Sequence, residues 1–412
     1  MRNGKDIQLF EMNTLQAKKV NSKKIIGLGI VSVFSYLVSY YVRNLLSVAT
    51  PSMLLTEKYT AEFIGVLSSV YFLTYAFGQL INGFVGDAVN PKYMVLGGLT
   101  VAGAVTLVFP FLPFAWMQIV CFLLMGFSLS MLRGPIMKMV SENLDKKYAR
   151  TVCTFLTVAT FAGPLVASSL AIAFKWKTMF VVAGGLTIAI AVASFISLMI
   201  FEKKGIYSFQ KAENDGFRGY LQLFKLDNFV FYMIIGGVTE VGQSAITFWI
   251  PTYLSEALGF DKNTSNLFFS VISIASAIAP FITLFIFNLI RERDIVMLRV
   301  GFLMAALSFV GMIFIPNIWV KITLLVFAKL SLSCCSAVLW SIYIPGMGET
   351  GKVSGINGAI DCTGYLVAAI ANAVFASLVG MTWNSVIAVW CGIAAVGLVA
   401  ASIVKPKKKI RQ

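Results

Sequence analysis

The chain has 412 residues, 58% hydrophobic and only 12% charged, with a net charge of +15 and a mean hydropathy of +0.84. A soluble domain is nearer about a quarter charged, so that class is excluded. The absence of histidine excludes His-based catalysis, His metal ligands and a His proton relay. The positive charge does not point to nucleic acid, because most Lys and Arg fall in tails and alternate loops, as the positive-inside rule requires.

Apolar runs of about 20 residues recur from end to end, which is the pattern of a polytopic helical membrane protein. A polar, basic tail is expected over 1–24, with no cleavable signal peptide. The first six helices are predicted at roughly 25–55, 62–85, 93–110, 115–140, 150–173 and 178–201. A basic linker follows over 202–227. Six more helices are predicted at roughly 228–256, 263–289, 296–315, 319–344, 352–379 and 383–404, before a basic tail at 405–412. The expected fold is therefore an all-α membrane protein of twelve transmembrane helices in two six-helix bundles, 25–201 and 228–404.

The first helix carries Arg43. Ser32, Tyr36, Ser39, Arg43 and Ser47 step by four, three, four and four, which puts them on one helix face. A charge within a bilayer segment is costly and should face a wet cavity or a partner. An arginine is also a forked donor suited to an anion. The loop after the second helix, GFVGDAVNPK, holds Gly83, Asp87 and Lys92. It reads as a tight turn with a charge that caps or pairs with a neighbouring helix end.

Further polar stripes follow. The second helix has Ser68, Tyr71, Tyr75, Gln79 and Asn82; the fourth has Arg133 and Lys138. The seventh has Glu240, Gln243, Ser244 and Thr247; the tenth has Lys329, Ser333 and Ser336; the eleventh has Ser354, Asn357, Asp361, Tyr365 and Asn372. Such stripes are expected to converge on a water-filled cavity, the competing reading being helix–helix hydrogen bonding. Lys138 lies five residues past Arg133, off its face, and is expected to snorkel toward the helix end. Arg43 is placed in the outer half of the membrane and Arg133 in the inner half. Arg43, Arg133 and Lys329 against Glu240 and Asp361 leave the cavity at plus one, a balance that favours anions. The six cysteines, all in apolar segments, read as packing residues and not as a disulfide or zinc set. With both termini placed inside, cytoplasmic segments hold about 24 of the 33 basic residues and outer loops about five.

Two halves of six helices joined by a cytoplasmic linker, with the Gly83–Asp87–Lys92 loop, resemble the major facilitator transporters. In that fold the substrate sits near the midplane, between halves that rock about it. Within that superfamily, YYVRNLLSVATP resembles the first helix of the organophosphate:phosphate antiporters in the spacing of Tyr40, Arg43 and Pro51. YAFGQLINGFVGDAVNPK, GFSLSMLRGPIMKMVSENLDKKYAR, FWIPTYL and the GYL at Gly364–Leu366 resemble the same family's helices 2, 4, 7 and 11. The resemblance implies Arg43 as the substrate anchor. The chain departs from the family at four places: Gln243 stands for a second arginine, Gln79 for a lysine, Thr160 for a histidine and Arg133 for a tryptophan.

The resulting expectation is a cell-membrane secondary transporter of a small organic anion, phosphorylated or carboxylated, working by alternating access as a monomer with both termini cytoplasmic. Arg43, Tyr40, Tyr75, Gln79, Arg133 and Gln243 are its binding residues, and phosphate or a proton is its counter-ion. The related anion:cation symporters couple protons through membrane carboxylates, a role open to Glu240 and Asp361. Two rival readings remain: proton-coupled efflux of a cationic or amphipathic compound through the same two acids, and a non-transporting metabolite sensor. No nucleophile–base pair, metal set or nucleotide loop suggests an enzyme, and no cofactor is expected.

Overall fold

In lipid, every backbone N–H and C=O must find its partner within the segment, so the apolar runs have to become helices. The computed structural model describes residues 4–56, 58–211, 223–226, 228–290, 292–379 and 382–404. Among these are twelve helices long and apolar enough to cross a membrane. We label them α1 (Lys24–Thr50), α2 (Glu62–Ala88), α3 (Pro91–Phe111), α4 (Ala115–Asn143), α5 (Lys146–Leu170), α6 (Trp176–Lys203), α7 (Phe229–Ala257), α8 (Leu267–Leu289), α9 (Asp294–Phe314), α10 (Ile318–Thr350), α11 (Val353–Ala371) and α12 (Trp383–Ile403). The tail expected over 405–412 and linker residues 212–222 lie outside the described residues, as does the Asn372 side chain. Residues 4–23, expected as a tail, continue the α1 helix backward without a break.

Three spans depart from a plain helix, each next to a proline or glycine. In α4 the helix stops at Leu129 and restarts at Arg133. Pro135 has no N–H to return to the Met131 carbonyl, and its ring pushes that carbonyl away. In α7, π turns occupy Gly242–Ile246 and Tyr253–Ala257, on either side of Pro251. In α10 a π turn at Val338–Tyr343 gives way to a 3-10 turn at Pro345–Thr350. Such turns release carbonyls from the helical ladder for use by other groups.

α1–α6 pack among themselves, as do α7–α12, and the halves meet through α2–α11, α4–α11, α5–α10 and α5–α8. On the side of the α2–α3 turn this seam is tight. A Cβ on Gly358 of α11 would stand 2.1 Å from the Gln79 carbonyl oxygen, and one on Gly83 of α2 would stand 2.9 Å from the Ser354 carbonyl oxygen. The Asp87 carboxylate accepts from the Ser354 and Gly355 amides, at 3.0 and 2.8 Å, and so caps the start of α11. Lys92, by contrast, pairs within its own half with Glu202 at the end of α6, and Asn90 donates to the same carboxylate at 2.9 Å.

Lys138 does not snorkel. Its side chain is fully buried at this seam, donating to Glu142 at 2.6 Å and to the Gly351 carbonyl, with Asp87 at 3.6 Å. Those acceptors satisfy the ammonium where it lies, so the helix end offers it nothing more. Arg150 with Glu292 (3.0 Å) and Lys146 with Glu349 (2.8 Å) also tie the halves together. These exposed pairs add little.

The seam therefore depends on backbones that carry no side chain. Gly358→Ala should lower the thermal unfolding midpoint by the equivalent of about 1–3 kcal/mol of overpacking. Gly346→Ala, where a Cβ would meet nothing within 4 Å, serves as the control and should leave it unchanged.

Candidate binding cavity between the halves

Beyond the seam lies a cavity of about 210 Å³ with walls from both halves. α1 contributes Tyr40 and Arg43, α4 Arg133, and α5 Thr157, Thr160 and Phe161. From the second half come Glu240, Gln243 and Ser244 of α7, Ser276 and Pro280 of α8, Ser333, Ser336 and Trp340 of α10, and Tyr365 of α11. The spacings are helical in every case, so each helix turns one stripe toward the same space.

Arg43 sits in an aromatic collar. Its guanidinium carbon lies 5.1–5.2 Å from the ring centroids of Tyr40, Phe72, Tyr75 and Tyr365. It donates to the Tyr365 hydroxyl at 2.8 Å and to the Tyr40 hydroxyl at 3.5 Å. Stacked Tyr71 and Tyr75, with Tyr365 set edge-on to Tyr75, fix the collar. Ring faces and hydroxyls hold a cation without neutralising it. Among the described residues no carboxylate comes within ion-pairing distance of Arg43.

Arg133 is neutralised. It donates to the Asp361 carboxylate at 2.9 Å and lies 3.7 Å over the Trp340 ring, while Asn357 holds the other Asp361 oxygen at 3.1 Å. The pair is buried, with Arg133 7% and Asp361 2% exposed, and it crosses from one half to the other. Arg133 becomes the first residue of the restarted α4 helix because of Pro135, two residues on. Arg133 and Arg43, placed at different depths by helix length, line one cavity.

Lys329 faces α7. It donates to the Gly242 carbonyl at 2.7 Å and to the Gln243 side-chain oxygen at 2.9 Å. The Gln243 amide in turn donates to Ser333 at 3.0 Å. Gln243, expected to meet the ligand, is thus committed on both ends while still part of the wall. Glu240 is the reverse. Its carboxylate makes no ion pair or side-chain hydrogen bond among the described residues.

Two expected wall residues lie elsewhere. Gln79 is buried in the α2–α11 contact, with its amide nitrogen unpartnered, because Gly358 draws the two backbones together over it. Tyr75 reaches Arg43 only through its ring face and does not line the cavity. Asn82 bonds to Phe127 and Ser130 of its own half, which is the helix–helix reading of that polar position. Trp340 escaped the sequence reading, although it extends the α10 stripe of Lys329, Ser333 and Ser336 by one further step of four. The α8 residues Ser276 and Pro280 gave no charge signal to find.

Residues 32–360 match the profile of the Major Facilitator Superfamily. The chain belongs to that superfamily. Among curated relatives it is 24% identical over 271 residues to the membrane sensor protein UhpC of Salmonella typhimurium, spanning 60% of each chain. It is 23% identical over 276 residues to the glycerol-3-phosphate transporter of Bacillus subtilis, spanning 60% of this chain and 61% of that one. The match thus spans about three fifths of these relatives' length, and they accord with the resemblance to the organophosphate:phosphate antiporters. The structure superposes on the Escherichia coli fucose:proton symporter FucP with a TM-score of 0.74 at 13% identity, covering 93% of this chain and 100% of that one. A bacterial homologue of the iron transporter ferroportin, in its outward-facing state, gives 0.73 at 13% identity, covering 91% and 98%. At such identity these neighbours speak for the fold alone.

Removing one partner of a buried ion pair strands the other. Asp361→Asn or Arg133→Gln alone should cost about 3–5 kcal/mol of stability. The double variant should recover much of that loss. Unfolding midpoints of all four proteins close the double-mutant cycle.

Proposed function

We infer that this protein is a secondary transporter that moves a small organic anion, phosphorylated or carboxylated, across the cell membrane by alternating access. The observation that carries the reading is Arg43: a guanidinium in a cavity between two helical halves, with no direct ion pair to a carboxylate among the described residues. Segments 25–201 and 228–404 are the moving bodies, with both termini and the 202–227 linker on the cytoplasmic side, as the basic residues favour. The glycerol-3-phosphate transporter among the relatives favours a phosphorylated solute. Tyr40 and Tyr365 complete the contacts around Arg43, Tyr75 orients it, and Arg133 lines the same cavity. Gly83 and Asp87 hold the α2–α3 side closed while the ligand enters from the other side. A cationic drug is disfavoured, because Arg43 would repel it.

Arg43→Lys keeps the charge and loses the fork. In proteoliposomes it should fold as the wild type does and lose most uptake; full uptake in that variant would remove Arg43 from the site. If Glu240 or Asp361 carries protons, a protonophore should collapse uptake, and Glu240→Gln or Asp361→Asn should still exchange substrate without a gradient. Uptake indifferent to the gradient favours anion exchange.

A sensor is the second reading, favoured by the likeness to UhpC, itself a membrane sensor protein by name. It differs in one measurement. A sensor raises its unfolding midpoint with ligand yet gives no flux in proteoliposomes.

A further inference from the structure

The cavity holds two charges of opposite sign that the protein leaves open. Arg43 meets only rings and hydroxyls. Glu240, on α7 in the same cavity wall, makes no direct ion pair or side-chain hydrogen bond with its carboxylate among the described residues. Three cations act on Glu240 through space, Arg43, Arg133 and Lys329. Arg133 is engaged on Asp361 and Lys329 on Gly242 and Gln243, which leaves Arg43 facing it without a direct ion pair. Lys329 spends its direct hydrogen bonds on the π turn at Gly242–Ile246, which begins two residues after Glu240. On the facing helix, Gly364 keeps the space beside Glu240 clear; a Cβ there would stand 3.1 Å from the Glu240 Cβ.

We propose that the ligand is a zwitterion, with its phosphate or carboxylate on Arg43 and an ammonium group on Glu240. The proposal rests on the organic-anion reading above and names the rest of the molecule. A plain anion entering this cavity brings a second negative charge close to Glu240, and in a medium of low dielectric that repulsion is costly. An ammonium on the same molecule turns the repulsion into an ion pair and satisfies a carboxylate the fold leaves unpaired. The two anchoring residues also belong to different halves, so a small zwitterion bridges them as a plain anion does not.

The test uses matched pairs on the purified full-length protein: ethyl phosphate against phosphoethanolamine, and propionate against β-alanine. Dissociation constants come from the rise in unfolding midpoint with ligand concentration. The ammonium member of at least one pair should bind at least tenfold tighter than its plain partner. Glu240→Gln should abolish that preference, and Glu240→Asp, which keeps the charge, should retain most of it. Equal or tighter binding of both plain anions by the wild type overturns the proposal and leaves a proton as the partner of Glu240. A preference that survives Glu240→Gln overturns it too, as does no binding of any of the four at millimolar concentration. If all four bind and Arg43→Lys changes none of them, the anion reading itself fails. If the plain anions need Arg43 and the ammonium adds nothing, only the zwitterion fails.

Discussion

A charge within a bilayer has no water to solvate it and costs about 3 kcal/mol or more unless something else does. That constraint sorts the ionisable groups of this protein into two kinds. Arg133 with Asp361, Lys138 with Glu142 and Asp87, and Lys329 with two oxygens of α7 are satisfied inside the protein. Arg43 and Glu240 make no direct ion pair among the described residues, and both line the cavity. The paired groups hold the helices in place. The unpaired ones stay available for a ligand, and the aromatic collar keeps Arg43 in position without neutralising it.

The satisfied charges depend on close backbone contact. Asp87 reaches the Ser354 and Gly355 amides only because α2 and α11 touch at Gly83 and Gly358, where neither side has a Cβ. Gly134, beside Arg133, meets Ser354 as closely: a Cβ there would lie 2.5 Å from the Ser354 hydroxyl. A glycine contact is thus the precondition for the electrostatic one. The α4 break supplies the rest by turning Arg133 toward Trp340 and Asp361 while Lys138, five residues on, enters the seam.

Periodicity made much of this legible. Twelve apolar runs gave twelve spans, and Arg43, Glu240, Gln243, Ser333, Ser336 and Tyr365 were read from helical steps as residues facing a common space. Pairing was not legible, because a stripe tells which face is polar and not which group on another helix meets it. So Asp361 could be placed on a polar face but not against Arg133, and Lys138 was given the helix end when its acceptors lay on α4 itself and across the seam. Gln79 shares its stripe with Tyr75 yet falls under the α2–α11 contact, a consequence of Gly358, 279 residues away in the sequence. Pro135 was a visible signal of helix interruption whose consequence, the redirection of Arg133, needed the third dimension.

The proposed alternating access would require the α2–α3 side to open, and the contacts there set what opening must break. Among them the Asp87 cap and the buried Arg133–Asp361 pair both cross between the halves, and each loses its partner if the halves part. A ligand can shift that balance only by binding one arrangement better than another. One that joins Arg43 of the first half to Glu240 of the second gains both contacts only when the halves hold it between them. It would then draw the open side inward, and the energy of its two ion pairs would go toward closure over the cavity. A ligand held by Arg43 alone touches the second half chiefly through Tyr365, and has far less with which to drive the change. In the proposed cycle the second charge therefore does more than select the solute: it links occupancy of the cavity to the movement of the halves.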